Sequence, residues 1–295
     1  MSSAAADHPL TEAARAMIRA AQQSRSVVEV FAASCPDIYS QIERTRVCEG
    51  LLKLWGRSRN IDANTNEVIV HPTILKAIGE IAGVSIRGNV IHAGLVHTYG
   101  YLFSLIETPY GFKRDRWTKP DVELGLGIEE PTLRDDPTDG TLLTNVTWLA
   151  GRIAFRGRTQ ELRLLQQHTE CVSPVVRHFH FGGLEVIRLT DDVTSGTRLI
   201  RLHTDLVKYP QPPQEGDTHL LVYSIVGGMQ SLTKLITVFP VSAVVVDELT
   251  STDQLGEREL RRLPYNAYVR GLHEGTFRVI RKLEPESPID RATPG

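Results

Sequence analysis

Beyond residue 142 the chain falls into short runs rich in Val, Ile, Leu, Thr and aromatic residues: Leu142 to Phe155, Val175 to Leu189, Thr197 to Leu206, His219 to Val226, Leu232 to Val241 and Thr276 to Leu283. Runs of this length and composition read as strands. Glycine-containing connections between them make sequence neighbours pair antiparallel. VGGMQSL, between the fourth and fifth runs, has the composition of a hairpin loop. A sheet of this kind must bury one face, and the first third of the chain supplies the cover.

That first third reads as helices. Ala14, Met17, Ile18, Ala21, Val28 and Val30 support helix from Thr11 to about Ala33, with a break near Ser24 to Ser26. Pro36 suits a helix start, and Ile38, Ile42, Val47, Leu51, Leu52 and Trp55 recur at helical spacing up to Gly56. After the polar stretch RSRNIDANTNE, Pro72 opens another helix through Ile74, Ile78 and Ile81 that stops at Gly83. Short helices are also expected over Ser242 to Leu249 and Asp253 to Leu260. The expected class is α+β: a helical region over 1–88 packed on a largely antiparallel β-rich body over 89–295, in one compact unit. A chain of 295 residues, 41% hydrophobic, is long enough to enclose such a core.

Charge and cysteine usage narrow the function classes. The net charge of −2 provides no basic footprint for duplex nucleic acid or an anionic membrane. Cys35, Cys48 and Cys171 are too widely spaced for a CxxC site, and no apolar run reaches the ~18 residues of a membrane span. The expectation is a cytoplasmic protein with reduced thiols that binds neither nucleic acid nor membrane.

The densest collection of reactive side chains is IHAGLVHTYGYLFSLIETPYGFKRDRW, Ile91 to Trp117. Asn89 is placed to cap a helix reaching Thr98. Tyr101, Phe103, Leu105 and Glu107 alternate as in a strand, and Thr108-Pro109-Tyr110-Gly111 is a turn that folds Phe112 to Trp117 back as a second strand. His97 and Glu107 are candidates for proton transfer, and Tyr99 and Tyr101 for hydrogen bonding to developing charge. Tyr110, Arg114 and Arg116 are candidates for holding an anion. Pleat alternation sets Arg114 and Arg116 apart from Lys113, so at most one set should face a pocket. Arg152 and Lys234 interrupt apolar runs, where a bound anion would be a fitting partner. The Pro-, Asp- and Gly-rich stretch from Lys119 to Gly140 suits a loop over such a site. The competing reading is a Tyr- and Phe-rich core strand followed by a solvated basic arm.

Three further patterns carry chemistry. His178-Phe-His180-Phe-Gly-Gly-Leu-Glu185 resembles the HxHx4E core of the cupins, with His203 a possible third imidazole; that resemblance implies a divalent metal. Val172 stands where cupins have glycine, and no PxG motif precedes His203. Tyr223, Ser224, Thr233, Lys234 and Thr237 are similar in type to the site residues of small metal-independent ribonucleases, an analogy the acidic net charge opposes. In QHTECVSP, Cys171 and Ser173 lie near His168, without a GxSxG elbow.

The Ile91 to Trp117 block and GTLLTNVTWLAGRIAF together resemble tailoring proteins of actinobacterial natural-product clusters, the aziridine-forming type of the azinomycin pathway. The resemblance implies a cofactor-free lyase or cyclase in which a substrate amine displaces sulfate or a similar group. The substrate would be a small molecule, free or on a carrier protein, and a partner subunit or second copy of the chain is compatible with it. The alternatives from other classes are the metal-dependent cupin-like enzyme and a non-catalytic ligand-binding protein.

Overall fold

A computed structural model describes residues 8–62, 65, 67–86, 90–108, 111–115, 141–155, 175–181, 183–195, 198–210, 216–227, 233–250, 270–273 and 276–278. The helical region opens with α1 (Pro9–Gln22), α2 (Val27–Ser34) and α3 (Pro36–Thr45). Ser26 Oγ accepts from the Glu29 amide at 3.2 Å, so the break before α2 is a capped helix start. A 3-10 turn (Arg46–Cys48) and α4 (Glu49–Leu52) follow. Helix α5 (Pro72–Ala82) ends where Gly83 turns left-handed at φ 69°, a conformation glycine adopts without a steric penalty.

Strands β1 (Arg57–Arg59) and β2 (Val90–His92) pair antiparallel and lead into α6 (Ala93–Thr98) and a 3-10 turn (Gly100–Phe103). A short hairpin joins β3 (Glu107–Thr108) to β4 (Gly111–Phe112), and α7 (Leu142–Ala154) adds to the helical layer. The main sheet is a five-stranded antiparallel meander in chain order: β5 (Val175–Phe181), β6 (Leu184–Ser195), β7 (Arg198–Lys208), β8 (Asp217–Gly227) and β9 (Lys234–Ser242). Helix α8 (Ala243–Thr250) follows, and β10 (Arg270–His273) and β11 (Thr276–Arg278) form a separate pair. The fold is α+β.

Pleat alternation gives the sheet two apolar faces. Val186, Val207, Leu220 and Val222 join the core shared with the helical layer, while Leu189, Leu206, Leu221 and Tyr223 pack with Val246 and Leu249 of α8. On the helical side Arg188 donates to both carboxylate oxygens of Asp205, at 2.6 and 3.0 Å, and to the Ile153 carbonyl of α7 at 2.9 Å. Beyond β9 the chain adds one more rung: the Gly56 amide donates to Leu235 O at 2.8 Å and the Leu235 amide to Leu54 O at 2.9 Å.

Several expected elements come out differently. Leu142 to Phe155 is helix rather than strand: its buried Leu143, Val146, Thr147, Ala150, Ile153 and Ala154 recur every three to four residues, a period that outweighs its β-branched content. Gly100 to Phe103 form a fully buried 3-10 turn instead of a strand. Buried at all four positions, the segment has no solvent face for a period of two to mark. Val175 to Leu189 is two strands, because Gly183 at φ 86° turns the chain between Phe181 and Leu184. The hairpin at Thr108 to Gly111 is present, but its second strand stops at Phe112, and Lys113 and Arg114 lie in a turn. Helix α6 takes its cap from His92, not Asn89, which lies outside the described residues. So do 119–140, 156–174, 228–232, the expected helix at 253–260 and the chain end after 278.

Candidate functional site

The reactive block divides between a sealed cluster and an open cleft. In the cluster, Ser58, Asn60 and Asp62 are all buried. Helix α6 brings His97 against them, with Nε2 3.0 Å from Ser58 Oγ, and the imidazole stacks on Tyr101 at a centroid separation of 4.8 Å. The Lys113 ammonium lies 2.7 Å from the Asp62 carboxylate and 5.2 Å from the Tyr101 ring centre. Asn60 pins the neighbouring segment, donating to Val70 O at 2.6 Å and accepting from the Val70 amide at 2.9 Å. His97 is 3% exposed and Tyr99 fully buried, so these groups tie segments together behind a closed surface. Glu107 is exposed on β3, so the two expected proton-transfer groups stand in opposite environments.

Lys113 and Arg114 are both buried, and pleat alternation does not separate them because they do not lie in a strand. Arg114 donates to Thr11 Oγ1 at 2.9 Å and sits 4.0 Å above the Phe112 ring, clamping the first turn of α1. Arg152 lies on α7 rather than a strand, and its side chain, like Tyr110 and Arg116, is outside the described residues.

The cleft lies where the α3–α4 connection, the C-terminal end of α5 and the start of β9 meet. Its volume is about 530 Å³, within the range of small-molecule sites. Arg46, Lys53 and Lys234 line it with Leu52, Trp55, Ala82, Gly83, Val84 and His92, and no carboxylate is among these described lining residues. The Lys234 ammonium donates to the Lys53 carbonyl, fixing that charge at the wall. Trp55 is held by its indole N–H, which donates to Thr147 Oγ1 at 2.8 Å. A Cβ on Gly94 would come within 2.8 Å of the indole, so glycine there lets α6 rest on Trp55.

His92 is committed at both nitrogens. Nδ1 accepts from the Leu95 amide at 3.2 Å, and Nε2 lies 2.9 Å from the Leu52 carbonyl. A carbonyl only accepts, so Nε2 carries the proton and the ring is neutral. Burial lowers the His92 pKa below its ordinary value; the nearby charges of Arg57 and Lys234 push the same way, against the bond to Leu52.

The HxHx4E segment does not converge with His203. His178 faces Ile187, which faces Leu206 on the α8 side; His203, three residues earlier on β7, points to the other face, fully buried with Nδ1 3.1 Å from Thr190 Oγ1. His178 and His180 are exposed, and Glu185, opposite His180, is paired with Lys208 at 2.8 Å; that bond and charge lower its pKa. Among the described residues no group of three or more His, Cys, Asp or Glu is placed to hold a metal. Tyr223 and Ser224, adjacent on β8, project to opposite faces.

Among the described residues, Lys234 is the one expected substrate-binding residue found in the cleft. Arg46 and Lys53 were not expected, and nothing in a single chain marks two basic residues on helix ends as partners of a third far downstream. Ser58 and Asp62 went unread because RSRNID has the composition of a polar loop. Its every-second-residue pattern of Ser58, Asn60 and Asp62 was the available signal. No protein-family model matches the chain, and no curated protein or solved structure does.

Proposed function

We propose that this chain is a small-molecule enzyme whose polar, anionic substrate seats in the cleft lined by Arg46, Lys53 and Lys234. The observation that carries the reading is the sign of that lining: three cations with no carboxylate among the described lining residues, in a concave wall that is otherwise largely apolar. A concave wall strengthens the field of such a set, and Lys234, held at the Lys53 carbonyl, is placed in advance to stabilise negative charge as it develops. The reaction class that uses this is the one the resemblance implies. A substrate amine forms a C–N bond as the C–O bond to a sulfate or phosphate breaks, and the leaving group departs with the electron pair. The ammonium proton of the closed ring then passes to solvent. His92 is not assigned as the base, because both of its nitrogens are engaged.

The engagement of His92 favours a second reading, a non-catalytic ligand-binding protein using the same cleft. A 2-aminoalkyl sulfate incubated with the protein separates the two. Sulfate release with appearance of the aziridine in the NMR spectrum, lost in Lys53→Met and Lys234→Met, is the expected result. Binding without release assigns the second reading. If neither substitution alters binding or release, the cleft is not the site.

A further inference from the structure

Resting on the reading that the cleft holds an anion, we infer that Trp55 is its specificity-determining residue, fixing how long an apolar body the anionic ligand carries. The lining is graded. Arg46 and Lys53 are exposed and mark the mouth, whereas Leu52, Trp55 and Ala82 are buried, so the wall turns apolar inward. A ligand that reaches past the basic mouth gains there by taking apolar surface out of water. A polar body would give up its water at the same wall without a matching partner.

Trp55 is the bulkiest group of that inner wall, and it is held by its backbone, its N–H and its ring. The Trp55 amide donates to Leu52 O at 3.1 Å, and its two chain neighbours bond Leu235 of β9: Leu54 O accepts from the Leu235 amide at 2.9 Å, and the Gly56 amide donates to Leu235 O at 2.8 Å. The indole N–H donates to Thr147 Oγ1 at 2.8 Å, and that hydroxyl donates to Leu143 O of α7 at 2.5 Å. A Cβ on Gly94 would lie 2.8 Å from indole Cγ and Cδ2, which sets the backbone of α6 directly against the ring.

A wall fixed in this way does not give when a ligand is too long. Close-packed interiors resist overfilling, and the bond to Thr147 and the contact with Gly94 leave the indole no room to swing aside. The depth of the cleft is therefore set by the ring itself. Shortening the side chain opens space toward Gly94 and Thr147 that is continuous with the cleft. The ligand class that fits is an organic anion on an apolar chain or ring of limited length.

Calorimetric titration of the full chain with straight-chain sulfonates, from ethanesulfonate to decanesulfonate and each below its micellar concentration, tests this in the wild type, Trp55→Leu and Trp55→Phe. Wild-type affinity should rise by about two- to fourfold per methylene and then stop rising at the chain length that meets the indole. The rise should run on to longer chains in Trp55→Leu. In Trp55→Phe, which keeps an aromatic ring in the core, it should run on by about one methylene. If circular dichroism shows that Trp55→Leu does not fold, Trp55→Phe decides alone. A limit at the same chain length in every folded variant, a wild-type rise without a limit, or no dependence on chain length overturns the role of Trp55. Lys53→Met then shows what survives: if it weakens every sulfonate, the anion site stands. If it changes none, or if the wild type binds no sulfonate, the underlying reading falls with the inference.

Discussion

Lys113 and Asp62 form an ion pair whose side chains are 10% and 2% exposed, and its partners fix what each substitution does. Asp62→Asn leaves the ammonium buried without its counter-charge, a change that costs about 3–5 kcal/mol in such pairs. Replacing both residues by apolar ones, Asp62→Leu with Lys113→Met, removes the orphaned charge and should recover much of that loss. Urea unfolding of the three proteins measures it, and a double variant no more stable than Asp62→Asn would contradict the account. At this scale the sequence was half readable. His97, Tyr101 and Lys113 stand out as a dense group. Ser58, the partner of His97, lies 39 positions upstream, a distance closed only by the tertiary fold.

Three helices share a feature that ordinary capping preferences do not anticipate: α1, α5 and α6 each begin on a histidine, with His8, His71 and His92 Nδ1 accepting from the amides of Leu10, Thr73 and Leu95. Serine, threonine, aspartate and asparagine are the usual residues there, and so the sequence points to Asn89 for the start of α6. A cap of this kind works only while Nδ1 is unprotonated. Burial depresses the His92 pKa, and burial followed by Arg114 depresses that of His8, so the folded chain resists protons that the unfolded chain accepts. Stability is therefore independent of these groups above about pH 6.5. It falls as pH drops below that value, until the folded pKa values are reached. His219, lowered chiefly by burial, adds a slope of the same sign. His92→Asn keeps a capping side chain without the titration, so its melting temperature should depend less steeply on acid than the wild type's. Parallel slopes would remove His92 from the explanation. Proline starts and the glycine stop at Gly83 were legible, because they are local backbone chemistry. Helix α7 reads as a strand in the sequence because propensity points one way and the spacing of its buried residues the other.

The cleft belongs to neither half of the molecule alone. Lys234 starts the outer strand of the main sheet; Leu54 and Gly56 bond that strand at Leu235, and Gly83 closes a helix of the cover. Arg188, bound to Asp205 and to the Ile153 carbonyl, ties the same two layers together farther across the sheet. The α+β class could be foreseen from patterning along the chain, since periodicity survives without knowledge of contacts. The cleft could not, because it depends on how the helical layer meets the β9 edge. Selenate, a dianion visible by its anomalous scattering, offers the most direct test of the central claim. Crystals soaked in it should show the anomalous peak within about 4 Å of the Arg46, Lys53 or Lys234 nitrogens, a hydrogen bond plus one Se–O bond away, and the peak should vanish in Lys53→Met/Lys234→Met. A peak elsewhere with the cleft vacant, or one that survives the double substitution, would contradict it.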